Sequence, residues 1–187
     1  PPGASCGATV ADWTVPGVTR HEVCVVHRRT TVTGPDGAIH SRVREVFSLG
    51  RRGPEQALFT PPELKELGEM EDVDPVVASD ELAGCVIPEA EGNSQQDKNL
   101  KILQSFATRQ PGTKTKKLHL RFLVSPTEVI AGTDGNVAGL ALEKNRLEVQ
   151  PDGTACARGT GETEVLEVGM VLPAIGFAAK RIAGVPY

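Results

Sequence analysis

The spacing of apolar residues changes period several times along this chain, and each change predicts an element. Residues 22–33 are rich in β-branched side chains and end at the turn cluster Gly34-Pro35-Asp36-Gly37, which reads as a strand region. Val43 to Leu49 reads as a second short strand, closed by Gly50. Thr60-Pro61-Pro62-Glu63 then combines a capping threonine, a proline at the first helical position and a glutamate three residues on. That pattern is a capping box with the favoured proline, and Leu64 and Leu67 supply the buried side of a short helix. Val73 to Ala78 reads as the next strand. Gln95 to Arg109 places Leu100, Leu103 and Phe106 at helical spacing, and Pro111-Gly112 stops the helix.

From Lys116 the period becomes two. Leu118, Leu120, Phe122 and Val124 are expected on one face and Lys117, His119 and Arg121 on the other, which makes His119 a solvent-side strand residue rather than a ligand or base. Asp134-Gly135 is a hairpin signal between Val129 and Val137, Leu140 to Val149 continues the meander, and Asp152-Gly153 makes another turn. Val165 to Phe177 is a nearly continuous apolar run, as expected of a strand buried on both faces. Residues 1–20 have little periodicity and read as loop or a poorly ordered terminus. Helices alternating with strands, followed by an antiparallel meander, predict an α/β sandwich.

Composition narrows the function classes. A chain of 187 residues suits one domain, or one with an appendage, and ordinary charged and apolar fractions exclude global disorder. A net charge of −4 argues against a general nucleic-acid binder. The charge is uneven: residues 55–91 are acidic with a single lysine, a solvated face, whereas 98–121 are rich in Lys and Arg. Cys6, Cys24, Cys85 and Cys156 lie far apart with no C-x-x-C pair, so no zinc site, iron–sulfur ligand set or disulfide scaffold is expected. His21, His27, His40 and His119 form no metal-ligating spacing. No signal peptide or membrane span is evident, and a cytoplasmic, reducing compartment is the default expectation. The chain opens Pro1-Pro2 without a methionine and stops at Pro186-Tyr187 after an apolar strand, so both ends read as cut.

The chemistry concentrates at Gly50-Arg51-Arg52-Gly53. A short strand runs into a glycine, then two arginines, then a capped helix. In a nucleotide-binding α/β unit this is where the adenosine end of a dinucleotide sits and where a 2′-phosphate can be tested. Adjacent guanidinium groups are planar, permanently charged forks suited to a phosphate dianion. Adjacent arginines after a strand are also commonly plain surface charges, and the spacing alone leaves both readings open. Arg28-Arg29 follows an apolar strand too, but lacks the Gly-Pro and the capped helix, and is read as surface. Gly135-Asn136-Val137-Ala138 imitates a dinucleotide glycine turn, but it lies inside a hairpin with no helix after it, and is rejected as one. The chain contains no G-x-G-x-x-G and no P-loop.

The run from Gly50 through Leu67 resembles the NADP-binding segment of adrenodoxin-reductase-type ferredoxin–NADP reductases. Arg121 to Val129, Asn145-Arg146-Leu147, Ala174 to Phe177 and Gly184 to Tyr187 resemble that family's later stations in the same order, so the likeness covers roughly residues 41–187. The resemblance implies a Rossmann-like, three-layer FAD/NAD(P)-binding α/β domain with an antiparallel meander, incomplete here. Residues 1–40 then form an atypical N-terminal segment and 41–187 the NADP-binding domain. It further implies that Arg51 and Arg52 grip the 2′-phosphate of NADP(H) and that Glu63 lies near the nucleotide, with no catalytic side chain and no metal ligand in this chain. In the parent enzymes hydride passes from NADPH to FAD, and electrons then pass to a ferredoxin-type iron–sulfur protein. The family's N-terminal glycine turn and its FAD domain are not visible, so no residue is assigned to flavin, and the isolated chain is expected to bind NADPH weakly and catalyse nothing. Two competing readings remain: a non-catalytic or degenerate nucleotide-binding module, and the pyridine-nucleotide module of a glutamate-synthase-like electron-transfer subunit.

Overall fold

Side-chain alternation along Phe47 to Leu49 and along Leu118 to Arg121 gives this protein two cores, one on each face of a sheet. The computed structural model describes residues 23–27, 31–33, 39–41, 43–87, 94–109, 112 and 114–174, the first three segments and residue 174 by backbone alone. Its elements are β1 (Val23–His27), β2 (Thr31–Thr33), β3 (Ile39–Ser41), β4 (Glu45–Leu49), α1 (Pro61–Glu69), β5 (Val73–Val76), α2 (Gln95–Thr108), β6 (Lys116–Arg121), β7 (Val124–Ala131), β8 (Val137–Val149), β9 (Ala155–Leu166) and β10 (Met170–Ala174). Short 3-10 turns lie at Pro54–Gln56 and Ser79–Leu82.

The main sheet runs β10-β1-β4-β6-β5. The strands β4, β6 and β5 are parallel, while β1 and β10 add on antiparallel. Parallel strands need long crossovers, and here α1 and α2 supply them. A separate three-stranded antiparallel sheet, β7-β8-β9, forms the meander, and β2 pairs with β3. The fold is thus mixed α/β, a partly parallel sheet with a meander, as expected.

Both helices start with reciprocal caps. Thr60 Oγ1 accepts from the Glu63 N–H while Glu63 Oε2 accepts from the Thr60 N–H at 2.8 Å, and Ser94 and Asp97 repeat the arrangement. The carbonyl of Phe59 accepts from the side-chain amides of Gln95, at 2.8 Å, and of buried Asn99, at 2.6 Å. The start of α1 is therefore tied to α2. Leu64, Leu103, Phe106, Leu120 and Phe122 fill the helix-side core, and Leu49, Val124, Leu140, Leu142 and Val168 fill the core under the meander. Each such leucine contributes about 1.5–3 kcal/mol on burial.

Three expectations are revised. Val124 does not share a face with Phe122. The strand ends at Arg121, and Leu123 takes a left-handed backbone, φ 53°, so Phe122 enters the helix-side core and Val124 the opposite one. The run from Val165 is not one doubly buried strand either. It divides at Glu167 to Gly169 into the end of β9 and the edge strand β10, where Leu172 is exposed. Finally, the face holding Lys117, His119 and Arg121 is not plainly solvent-side. In the β4–β6 register it shares a side with Phe47 and Leu49, which pack under the meander. His119 stacks on Phe47, ring centroids 4.5 Å apart, and its Nε2 is buried without a hydrogen-bond partner.

The Asp134-Gly135 hairpin forms as read: Gly135 is left-handed, and Asp134 accepts from the Asn136 N–H at 3.0 Å. The strand β9, absent from the sequence reading, carries Cys156, which is disulfide-bonded, whereas Cys85 is a free thiol. The turn at residues 34–37, the Arg28-Arg29 pair, residues 1–20 and the stations at 175–187 lie outside the described residues.

Candidate functional site

Strands β4, β5 and β6 run parallel, so their carboxyl ends open on the same edge of the sheet. Ligands of open α/β sheets bind in the crevice outside those ends. A cleft of about 340 Å³ lies there. It is walled by Gly53 to Gln56 after β4, by Asp80 to Cys85 after β5 and by Arg121 to Val124 after β6, with Lys144, Asn145 and Leu147 of the meander closing it.

The cations on its wall are already committed. Arg121 donates to Glu81 at 3.0 Å and to Glu164 of β9 at 2.5 Å, and these hydrogen-bonded carboxylates hold its guanidinium above the ordinary arginine value against the opposing effect of burial. Glu81 also accepts from the Phe122 N–H at 2.6 Å, so one carboxylate fixes both the side chain and the backbone at the end of β6. Lys144 pairs with Glu162, which raises its ammonium above the ordinary lysine value. Burial, followed by the nearby charge of Glu55, raises the Cys85 thiol on the same wall and keeps it protonated.

Arg51 and Arg52 form the bend between β4 and this cleft. Both are half-buried, and neither lines the cleft, which begins at the next residue, Gly53. Their backbone is held from two sides. The Leu123 N–H donates to the Arg52 carbonyl at 3.2 Å, and the Val124 N–H donates to the Gly50 carbonyl at 3.2 Å. Asn145, nine-tenths buried, donates through Nδ2 to the Arg51 carbonyl at 3.0 Å and to Ser125 Oγ at 2.8 Å. The guanidinium of Arg52 makes no ion pair or hydrogen bond with any described residue. Glu63 stands apart from the bend, exposed in the first turn of α1, and its carboxylate is occupied by the Thr60 cap. Those hydrogen bonds hold its pKa below the ordinary 4.5. Arg51 and Arg52 thus sit side by side on one clamped bend, and Glu63 caps α1, a role compatible with a place near a nucleotide.

The signal for Asn145 was present in the sequence, in the Asn145-Arg146-Leu147 station, but its partner lies 94 residues away. Among the described residues no group of three or more metal-ligating side chains occurs, and no helix is long and apolar enough to cross a membrane.

The parallel strands and the cleft at their carboxyl ends define an open, mixed α/β fold with its crevice where ligands of such sheets bind. No protein-family model matches the chain. It is 34% identical over 146 residues to the NADPH-ferredoxin reductase FprA of Mycobacterium tuberculosis, covering 78% of this chain and 32% of that protein. It is 32% identical over 155 residues to the mitochondrial NADPH:adrenodoxin oxidoreductase of Arabidopsis thaliana, with 79% and 32% covered. A solved structure of the M. tuberculosis FprA in complex with NADPH superposes with a TM-score of 0.68 at 34% identity, over 77% of this chain and 32% of that one. The chain is homologous to the adrenodoxin-reductase-type ferredoxin–NADP reductases over about three quarters of its length, and spans about a third of the relatives it matches.

Proposed function

We propose that this chain is the NADP-binding part of a flavoprotein oxidoreductase that passes electrons from NADPH through FAD to a ferredoxin-type iron–sulfur protein. The observation that carries the reading is the Arg51-Arg52 bend, held at the end of a parallel strand beside a cleft. The half-buried Arg52 guanidinium, without an ion pair or hydrogen bond among the described residues, keeps its donors available for a dianion, and the 2′-phosphate of NADP(H) is such a group. The wall cations are less suited, since Arg121 and Lys144 are neutralised by carboxylates. The solved relative that binds NADPH shares this stretch of fold, which supports the same coenzyme here.

Bound NADPH would supply a hydride; this chain's part is to hold the coenzyme by its phosphate. Arg51 and Arg52 are its binding residues for the phosphate, and Glu63, which also caps α1, is the acidic residue near the nucleotide. No residue of this chain is assigned to flavin, and FAD comes to the reading only from the homologous enzymes.

Titration of the purified chain with NADPH and NADH, followed by calorimetry, tests the reading. Tighter binding of NADPH is expected. Equal affinities, or no binding of either, reject it. Bound yellow flavin, with NADPH-dependent reduction of an artificial acceptor, would extend the reading from binding to catalysis.

A further inference from the structure

Asn145 is the one nine-tenths-buried side chain, among the described residues, that bridges the meander to the arginine bend. It lies at an irregularity of β8, where the register with β9 shifts between Glu143 and Asn145. Asn145 still pairs with Gly159 of β9, and on its other side it reaches the residues just before β7. Its backbone N–H donates to the Leu123 carbonyl at 2.7 Å, and its side chain donates to the Arg51 carbonyl at 3.0 Å. Leu123 in turn donates to the Arg52 carbonyl. Asn145, Leu123, Arg52 and Arg51 therefore form a closed circuit around the bend.

Two features show that the circuit determines geometry rather than merely filling space. Leu123 has φ 53°, a conformation costly for a leucine that persists only where surrounding contacts enforce it. The contacts that do so are those to Arg52 and Asn145. Moreover, the side-chain amide of Asn145 has a second anchor, Ser125 Oγ at 2.8 Å, which fixes the rotation of the side chain and hence the direction of the hydrogen that meets Arg51.

We infer that Asn145 is a positioning residue for the Arg51-Arg52 bend, and through it a determinant of the choice between NADPH and NADH. Asn145 lines the cleft, but it carries no charge to offer a phosphate. It aims the peptide that carries the two guanidinium groups, and so affects only the coenzyme that has a 2′-phosphate to offer. The inference rests on the NADP reading for its ligand.

The test uses the whole chain, with Asn145→Ala and, to keep the volume filled without a donor, Asn145→Leu. Two readouts are taken. Without nucleotide, amide hydrogen exchange is measured at Leu123 and Val124, whose N–H groups close the bend; it should accelerate about tenfold in both variants while the amides of α1 and β8 keep their protection. With nucleotide, affinity for NADPH should fall about tenfold and that for NADH by less than about threefold. A purely structural residue would lower both affinities alike, and that outcome overturns the inference. Unchanged exchange at Leu123 and Val124 overturns it as well, as does faster exchange with an unchanged NADPH-to-NADH ratio. A wild-type chain that does not prefer NADPH rejects the coenzyme reading before any substitution is made, so the two failures are told apart.

Discussion

The side-chain amide of Asn145 donates to the backbone carbonyl of Arg51 at 3.0 Å, joining the meander to the bend that follows β4. Through this bond the meander reaches the two adjacent arginines after β4. The bend is accordingly held by two layers: β4 leads into it, the residues after β6 clamp it, and β8 of the meander bonds to it. Four expectations follow from this arrangement.

Arg52→Ala should weaken NADPH binding about 10- to 100-fold and NADH binding little, because hydrogen bonds to charged groups contribute about 1.5–3 kcal/mol and NADH has no 2′-phosphate. Calorimetric titration with both coenzymes measures it. Equal losses for the two would remove Arg52 from the site.

Glu81→Ala should destabilise the fold by about 2–3 kcal/mol, since it leaves Arg121 with one carboxylate and strips the Phe122 N–H of its acceptor. Denaturant unfolding gives the value. A loss within experimental error would mean that water replaces the carboxylate without cost.

Thr60→Ala should cost about 1 kcal/mol through loss of the helix cap. The affinity for NADPH should change less than with Arg52→Ala, because the cap orients α1 and not the bend. Parallel measurement of the denaturation midpoint and of coenzyme affinity separates the two effects. A drop in affinity matching that of Arg52→Ala would give Glu63 and its cap a direct part in binding.

Acid should destabilise the protein in two stages. Burial of His119 against Phe47 lowers its pKa from the ordinary 6.5, with the charges of Lys117 and Arg121 adding to this and that of Glu45 opposing it. The folded state prefers the neutral ring, so this contribution is complete above about pH 6.5 and is lost as pH falls from there towards the folded value. Glu63, depressed below 4.5, contributes above that value and is lost as pH falls through its folded pKa. Melting temperatures recorded from about pH 8 to 5 should decline for the wild type and stay flatter for His119→Phe, which keeps a ring against Phe47. Identical slopes for the two proteins would show that His119 is not the source of the first stage.

Much of the scaffold is written locally. The Thr60 to Glu63 cap, the leucine spacing of both helices, the two-residue period from Lys116 and the Asp134-Gly135 turn each depend on neighbours a few positions away, so periodicity and turn chemistry reveal them. The arginine pair was equally legible, as residue types after a strand, and so was its likeness to one family of reductases.

Tertiary structure decided what those residues face. The alternation that separates Leu118 and Leu120 from His119 and Arg121 shows that two faces exist, but a sequence contains no record of which layer will cover the second. The meander packs on Phe47, against which the half-buried His119 stacks, and gives Arg121 a carboxylate from β9. The left-handed turn at Leu123 breaks the period because contacts from Arg52 and Asn145, distant in the chain, outweigh local preference. The chain by itself therefore named the charges at 51 and 52, and long-range hydrogen bonding chose where they are held, since a bond across 94 residues leaves no periodic trace.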